Sequence, residues 1–330
     1  MRWIIKRFIL ALFTIFFSLT FTFFLIRLMP GNPIDSLILD YMGPPYYLSY
    51  EEAVNLVKSF YDIELDKPLW MQYIDYLTNI LRGDFGISYI YFTPVIKIIS
   101  YGLPWTVFLL SISLPLSFFP GVLIGMAIAY KRGSKLDNSI TMLSIILRAI
   151  PNYIVAILLL YFLGIVLGIF PSGGSHDVRT TPGFTLEYIL DVLYHSILPI
   201  TSYIIVTIGG WIISMRSNTI SVLGEDYVRV AEARGLPERR IIFTYVGRNA
   251  ILPLFTTLAI SIGYVFGGSV FIESIFTYPG IGYFLSSAVT SKDYPVIQGC
   301  FLIITISVVL ANLFADILYS RLDPRIKMGD

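Results

Sequence analysis

The sequence predicts an all-α polytopic membrane protein with six transmembrane helices, and three observations predict it. Hydrophobic residues fill 56% of the 330 positions and charged residues only 14%, with a mean hydropathy of +0.75, against about 25% charged in ordinary soluble domains. Six continuous apolar runs each supply the roughly 20 helical residues that a bilayer core demands. Lys and Arg gather in every second connection between those runs. A barrel would need alternating residues, whereas a helix closes its backbone hydrogen bonds within one continuous run.

The first run, Phe8 to Leu28, follows Arg2, Lys6 and Arg7 and continues into "RLMPGNP" without a small-residue cleavage pattern, so it reads as a retained anchor and not a signal peptide. The segment Gly31 to Leu103 carries nine acids against four bases and needs structure of its own. Within it "DKPLWMQYIDYLTNIL" sets Pro68 at a helix start and Trp70, Tyr73, Ile74, Leu77, Ile80 and Leu81 on one face, an amphipathic helix lying on the membrane or against the spans. The other runs are Pro104 to Tyr130, Ser139 to Gly168, Ser196 to Met215, Ala250 to Ile272 and Pro295 to Tyr319. Pro115 and Pro120 interrupt the second and Pro151 the third, each removing a helix hydrogen bond. The loop "FPSGGSHDVRTTPG" holds His176 and Asp177, too few ligands for a metal site.

Charge position sets the expected orientation. Fifteen Lys and Arg fall on one side of the six runs and six on the other. The positive-inside rule makes the richer side cytoplasmic, with both termini inside a cell membrane. Two arginines lie within runs: Arg27, near an end, is expected to snorkel, and Arg148, close to Pro151, to face protein or water and not lipid. The net charge of +1 gives no sign of a nucleic-acid partner, and the single Cys300 excludes a disulfide within the chain.

Reactive motifs are missing. The sequence has no GxxxxGK[ST] phosphate cradle, no HExxH, no CxxC and no GxSxG. Carboxylates are rare in the runs, Asp316 in the sixth being the exception. A stand-alone secondary transporter or channel, the alternative reading, would need ion-binding carboxylates, broken-helix pairs or inverted repeats.

One stretch breaks the apolar pattern: "EDYVRVAEARGLPERRIIFTYVGRNAILP", Glu225 to Pro253. Glu225 and Asp226 suit the first turn of a helix, Arg234 its last, and Gly235 the position after it where φ turns positive. Pro237 and Glu238 then open a second helix that returns to the membrane. Tyr227, Val230, Ala231 and Arg234 share a face of the first helix, with Ala233 and Gly235 adding small groups, so the turn can enter a groove on a partner. A solvated loop helix that merely caps a span fits the same residues.

The same stretch resembles the EAA-loop signature of the membrane subunits of ABC importers, in the form used by the dipeptide and oligopeptide permeases. Where the generic pattern has Glu-Ala-Ala, this chain has Arg229, Val230 and Ala231; the glycine matches at Gly235 and the closing pair at Leu252 and Pro253. "RLMPGNP", "LDKPLWMQYIDYLTNILRGDFGIS", "RGSKLD", "YPGIGYFLSSAVTSKDYPVIQG" and "LDPR" resemble the first of the two permeases in such systems. The resemblance implies a type-1 ABC importer transmembrane domain over residues 101–319, with a coupling loop at 216–250. An N-terminal end and first helix (1–30) and an extracytoplasmic segment (31–100) precede it, and a cytoplasmic tail (320–330) follows. It also implies a second homologous permease, two cytoplasmic ATP-binding subunits that hold ATP and Mg, and an extracytoplasmic solute-binding protein, with no cofactor in this chain. Gly235, Ala231, Arg229, Arg234, Asp226, Tyr227, Ala233 and Leu236 are then the expected ATPase-coupling residues. Arg148, Gly267, Gly268 and Ser269 are the candidates for the translocation path, the last three because they expose backbone within a span. Peptides are the favoured solute, ahead of oligosaccharides and metal complexes. Purified alone, the chain is expected neither to bind nor to hydrolyse ATP, while the assembled complex does both; stoichiometric nucleotide binding in equilibrium dialysis of the isolated subunit would contradict this.

Overall fold

The computed structural model describes residues 2–29, 38–39, 41–44, 46–61 and 67–322; the side chains of residues 2–4, 58–61, 262–269 and 315–322 lie outside that description, Asp316 among them. The helices are α1 (Arg2–Arg27), α2 (Tyr50–Tyr61), α3 (Leu69–Leu81), α4 (Val95–Tyr130), α5 (Lys135–Ala149), α6 (Asn152–Leu159), α7 (Leu186–Leu223), α8 (Asp226–Ala233), α9 (Glu238–Arg240), α10 (Arg248–Ala250), α11 (Leu252–Ile275), α12 (Ile281–Ser291) and α13 (Tyr294–Leu322). A π-helical turn, Leu160–Val166, extends α6, and another, Ile241–Gly247, joins α9 to α10. Apart from an isolated bridge between Ile87 and Pro94, regular structure among the described residues is helical.

Four helices, α1, α4, α7 and α13, are long and apolar enough to cross a membrane, and counting each of two bent pairs as one span gives up to six. The third expected span is corrected by the first of these pairs: it is two pieces, Lys135–Ala149 and Asn152–Val166, at 95° to each other. Pro151 has no N–H to give and crowds the residue before it, and Ile150 accordingly turns extended, with ψ 125°. The prolines of α4 leave it unbroken over 36 residues, and α7 runs 38 residues with Pro199 inside it. At ~1.5 Å per residue both exceed 50 Å, well beyond a hydrocarbon core of ~30 Å.

Contacts divide the chain into two units. In the first, residues 1–105 and 279–309, α3 packs on α1. Thr20 and Tyr73 hydroxyls lie 2.6 Å apart, and Tyr73 and Tyr76 set their rings 5.1 and 5.3 Å from that of Phe23. Arg27 lies over the Phe23 ring, 3.4 Å from its centre, and donates to Gln72 Oε1 at 3.0 Å. Arg27, near the end of α1, is therefore held by protein. Of the face expected to lie on the membrane or against the spans, Tyr73, Leu77 and Ile80 are half-buried while Trp70, Ile74 and Leu81 stay exposed; Tyr73 and Gln72 answer Thr20 and Arg27. At the start of α13, Asp293 accepts from Ser88 Oγ at 2.5 Å and Ile90 N–H at 3.2 Å, tying the loop after α3 to the α12–α13 turn. Cys300 is buried in this unit.

The second unit, residues 106–278 and 310–330, is built around α7. Phe118, Val122 and Met126 of α4 meet Trp211 and Met215 of α7 in a core that Ala250 and Leu254 complete. Lipid tails are as apolar as leucine, so such helices associate through close packing. Gly121 and Gly125, one GxxxG pair on α4, admit Trp211 and Ile212 of α7 where a Cβ would collide. Gly209 lies so near α5 that a Cβ would fall 2.5 Å from Ser144 O, whereas one at Gly210 would meet nothing within 4 Å. Gly209→Ala is expected to force α5 and α7 apart at a cost of about 1–3 kcal/mol and to lower the melting temperature in detergent, while Gly210→Ala leaves it unchanged; equal melting of the two would contradict this packing.

Candidate functional site

The charged stretch folds as a helical hairpin at the end of α7. Helix α8 starts after Glu225, which is extended at ψ 142°, and stops at Arg234. Gly235 follows with φ +69°, the left-handed region where a Cβ would crowd the backbone. Two hydrogen bonds complete the turn: Gly235 N–H to Glu232 O at 2.9 Å and Leu236 N–H to Ala231 O at 3.3 Å. This pairing, with an apolar residue after the glycine folding back on the helix, satisfies carbonyls that the helix end would leave open.

An apolar cluster holds the hairpin. Val228 and Ala231 of α8 are buried against Ile241 and Val246 of the returning π turn, with Leu236, Tyr245, Tyr130, Val222 and Leu223 around them. Burying an aliphatic side chain of this size is worth about 1.5–3 kcal/mol. The exposed Asp226–Arg229 pair, 3.8 Å apart, contributes little beside that. Asn249 Nδ2 donates to Tyr227 Oη at 3.1 Å and to Tyr245 O at 2.7 Å, and Asn218 Nδ2 of α7 donates to Ala250 O at 3.1 Å. Partial burial pushes the Tyr227 phenol above its usual range, opposed by the bond from Asn249, so it stays a neutral hydrogen-bonding group.

The expected coupling residues therefore separate into two sets. Asp226, Tyr227, Arg229, Ala233, Arg234 and Gly235 are exposed on the outside of the hairpin, and Leu236 is half-buried. Ala231 is corrected: it is only 2% exposed and faces inward, because it stands three residues after Val228 on the apolar side that the returning π turn covers. Val230, 53% exposed, takes the outward place beside Tyr227 and Arg234.

Sequence reasoning missed what fixes the hairpin's base. Arg216, near the end of α7, donates Nε to Asp137 Oδ1 at 2.5 Å and Nη2 to Oδ2 at 2.8 Å, a two-pronged pair with a fully buried carboxylate. Asp137 also accepts from Gly133 N–H at 3.0 Å, and its own N–H is capped by Ser134 Oγ at 3.2 Å. The signal was present in "SKLD", a Ser with an acid three residues on, which is the spacing of a helix-capping box. Glu273 and Asp293, both fully buried, lay just outside the apolar runs and were likewise passed over.

Within the second unit a cleft of about 380 Å³ opens between α5, α6, α7 and α11, lined by Arg148, Asn152, Tyr203, Thr207, Ser214 and Ser261 among others. Arg148 thus lines a cleft whose walls are largely apolar, Leu114, Val206, Trp211 and Ile272 among them, with a few hydroxyls between. A cation centred in a membrane span costs about 2.5–3.5 kcal/mol even on lenient scales, so its position needs such a setting. Gly267, Gly268 and Ser269 fall within α11, and their surroundings lie outside the described residues.

Residues 121–328 match the family model described as "Binding-protein-dependent transport system inner membrane component". The oligopeptide transport system permease protein AppB of Bacillus subtilis is 34% identical, the alignment covering 98% of this chain and 99% of that protein. The di/tripeptide transport system permease protein DppB of Pseudomonas aeruginosa is 34% identical over 94% of this chain and 95% of its own length. The dipeptide transport system permease protein DppB of Escherichia coli K12 is 29% identical over 99% of both. With more than half its length matched by that model and relatives above 30% identity along nearly all of it, the chain belongs to the family of binding-protein-dependent transport system inner membrane components.

Proposed function

We propose that this chain is one of two homologous permease subunits of an ATP-driven importer, forming half of the path for a peptide-like solute that a binding protein delivers from outside. The oligopeptide, di/tripeptide and dipeptide permeases among the relatives support a peptide-like cargo. The observation that carries the reading is the hairpin: a tip of Tyr227, Val230, Arg234 and Gly235, exposed outward and backed by its own apolar cluster. Such a tip is a rigid knob that an ATP-binding subunit can grip. ATP and Mg belong to two such cytoplasmic subunits, whose closure would draw this hairpin and that of the second permease together. The free energy comes from the nucleotide's different affinity for the two states.

The reading requires the hairpin and both termini to be cytoplasmic, as the fifteen-to-six distribution of Lys and Arg indicates. In a Cys300→Ser background, cysteines at Val178, which is 98% exposed, and at Ser291 are expected to react with an impermeant thiol reagent added to intact cells, and a cysteine at Ser134 is not. The reverse pattern would place the hairpin outside and end the coupling proposal.

Gly235 gives the sharper test. A Cβ there would meet nothing within 4 Å in this chain, so the local penalty comes from φ alone, about 1 kcal/mol for alanine and more for a β-branched residue. Gly235→Val is expected to insert and pair normally, to lose solute uptake in the reconstituted complex and to weaken retention of the ATP-binding subunit on purification, with Gly235→Ala intermediate. Wild-type uptake and retention in the valine variant would show the hairpin to be only a solvated loop.

A further inference from the structure

The cleft in the second unit has an uneven polar lining. Thr207 donates its hydroxyl to Tyr203 O at 2.7 Å, Thr257 to Pro253 O at 3.1 Å and Ser261 to Thr257 O at 2.7 Å. Each hydroxyl is spent on its own helix and turns an oxygen lone pair toward neighbouring groups. These residues offer acceptors. Among the described residues the one charged side chain in the lining is Arg148, which makes no hydrogen bond or ion pair with any of them, and none of them brings a carboxylate to the lining. Arg148 closes α5 immediately before the 95° bend, where Asn152 begins α6. The first N–H groups of α6 are already engaged, Tyr153 N–H by Asn152 Oδ1 at 2.8 Å and Ile154 N–H by Pro151 O at 3.1 Å, so the guanidinium is the cationic donor that the lining offers.

A cation with no partner among the described residues, in a span where charge is costly, fits an anionic group on the ligand, and the hydroxyl oxygens fit N–H donors carried by the same molecule. Resting on the reading of the chain as a peptide permease, the geometry points to Arg148 as the residue that receives the C-terminal carboxylate of a passing peptide, with Thr207 and Ser261 accepting from its amide groups. A neutral oligosaccharide offers the guanidinium hydroxyl acceptors but no counter-charge. Arg148 is then a specificity residue for free-acid peptides.

The test is protection of a cysteine inside the cleft. With Ser214→Cys in a Cys300→Ser background, the assembled importer without nucleotide is alkylated with N-ethylmaleimide in the presence of tetra-alanine or its C-terminal amide. Tetra-alanine is expected to half-protect at about a tenfold lower concentration than the amide. Arg148→Gln is expected to bring the two values together by weakening the acid, and Arg148→Lys to keep the preference; an unchanged alkylation rate without peptide shows that each variant has folded. Equal protection by acid and amide, survival of the preference in Arg148→Gln, or no protection by either peptide would overturn the assignment. Uptake of tetra-alanine by the same complex in vesicles decides separately whether peptides are carried at all, so a negative result there falls on the proposed function and one confined to the protection assay falls on Arg148.

Discussion

The second unit hangs on the ion pair between Asp137 and Arg216. Asp137 is fully buried and Arg216 three-quarters buried, and removing one partner of such a pair typically costs 3–5 kcal/mol because the other charge is left stranded. The pair fixes how α5 lies along α7. Seven residues further along α5 and seven back along α7, Ser144 meets Gly209 at backbone distance. Two contacts at the same heptad offset define an antiparallel register, with one held by charge and the other by the absence of a side chain.

That register places the cleft. Eleven residues of helix separate Asp137 from Arg148, a rise of about 16 Å, which is half of a ~30 Å hydrocarbon core. Arg148 thereby comes level with the Tyr203 to Ser214 stretch of α7, whose polar residues share the lining. At its other end α7 passes through Gly224 into α8, and Asn218 ties it to the returning arm of the hairpin at Ala250. The cleft and the hairpin are thus built on one 38-residue helix, and any rigid movement of α7 is felt at both.

The fold class was legible because hydropathy averages over many residues, and the loss of water in a bilayer leaves the backbone little choice but helix. The turn at Gly235 was legible for the opposite reason, being local: an acid-rich start, a basic last turn and a glycine agree on one conformation. What sequence could not supply was the rotation of short helices. Ala231 was assigned outward with Tyr227 and Val230, yet a small apolar residue carries no mark of which side the return arm will cover. Helix α3 was legible as an amphipathic helix but its contacts were not: Tyr73 of the expected face and Gln72 beside it found hydroxyl and guanidinium partners on α1, while Trp70, Ile74 and Leu81 stay exposed. The 95° bend was half legible: Pro151 announced an interruption, but its angle depends on Ile150 turning extended.

The residues that periodicity overlooked are those whose meaning is pairwise. Asp137 and Arg216 are 79 positions apart, and each alone reads as an ordinary charge at the edge of a span. Their value appears only when both lose water together, because in a medium of low dielectric a lone charge is prohibitive and a two-pronged pair is tolerated. Arg148 is the complementary case, a charge in an apolar run without a partner among the described residues. The same energetic rule that demands a partner for Asp137 demands something for Arg148, and the chain answers the first demand within α7 and the second with a cleft. A chain that pairs Asp137 within its own fold and leaves Arg148 exposed in a cleft has separated the charge that holds its helices in register from the one proposed to meet the solute.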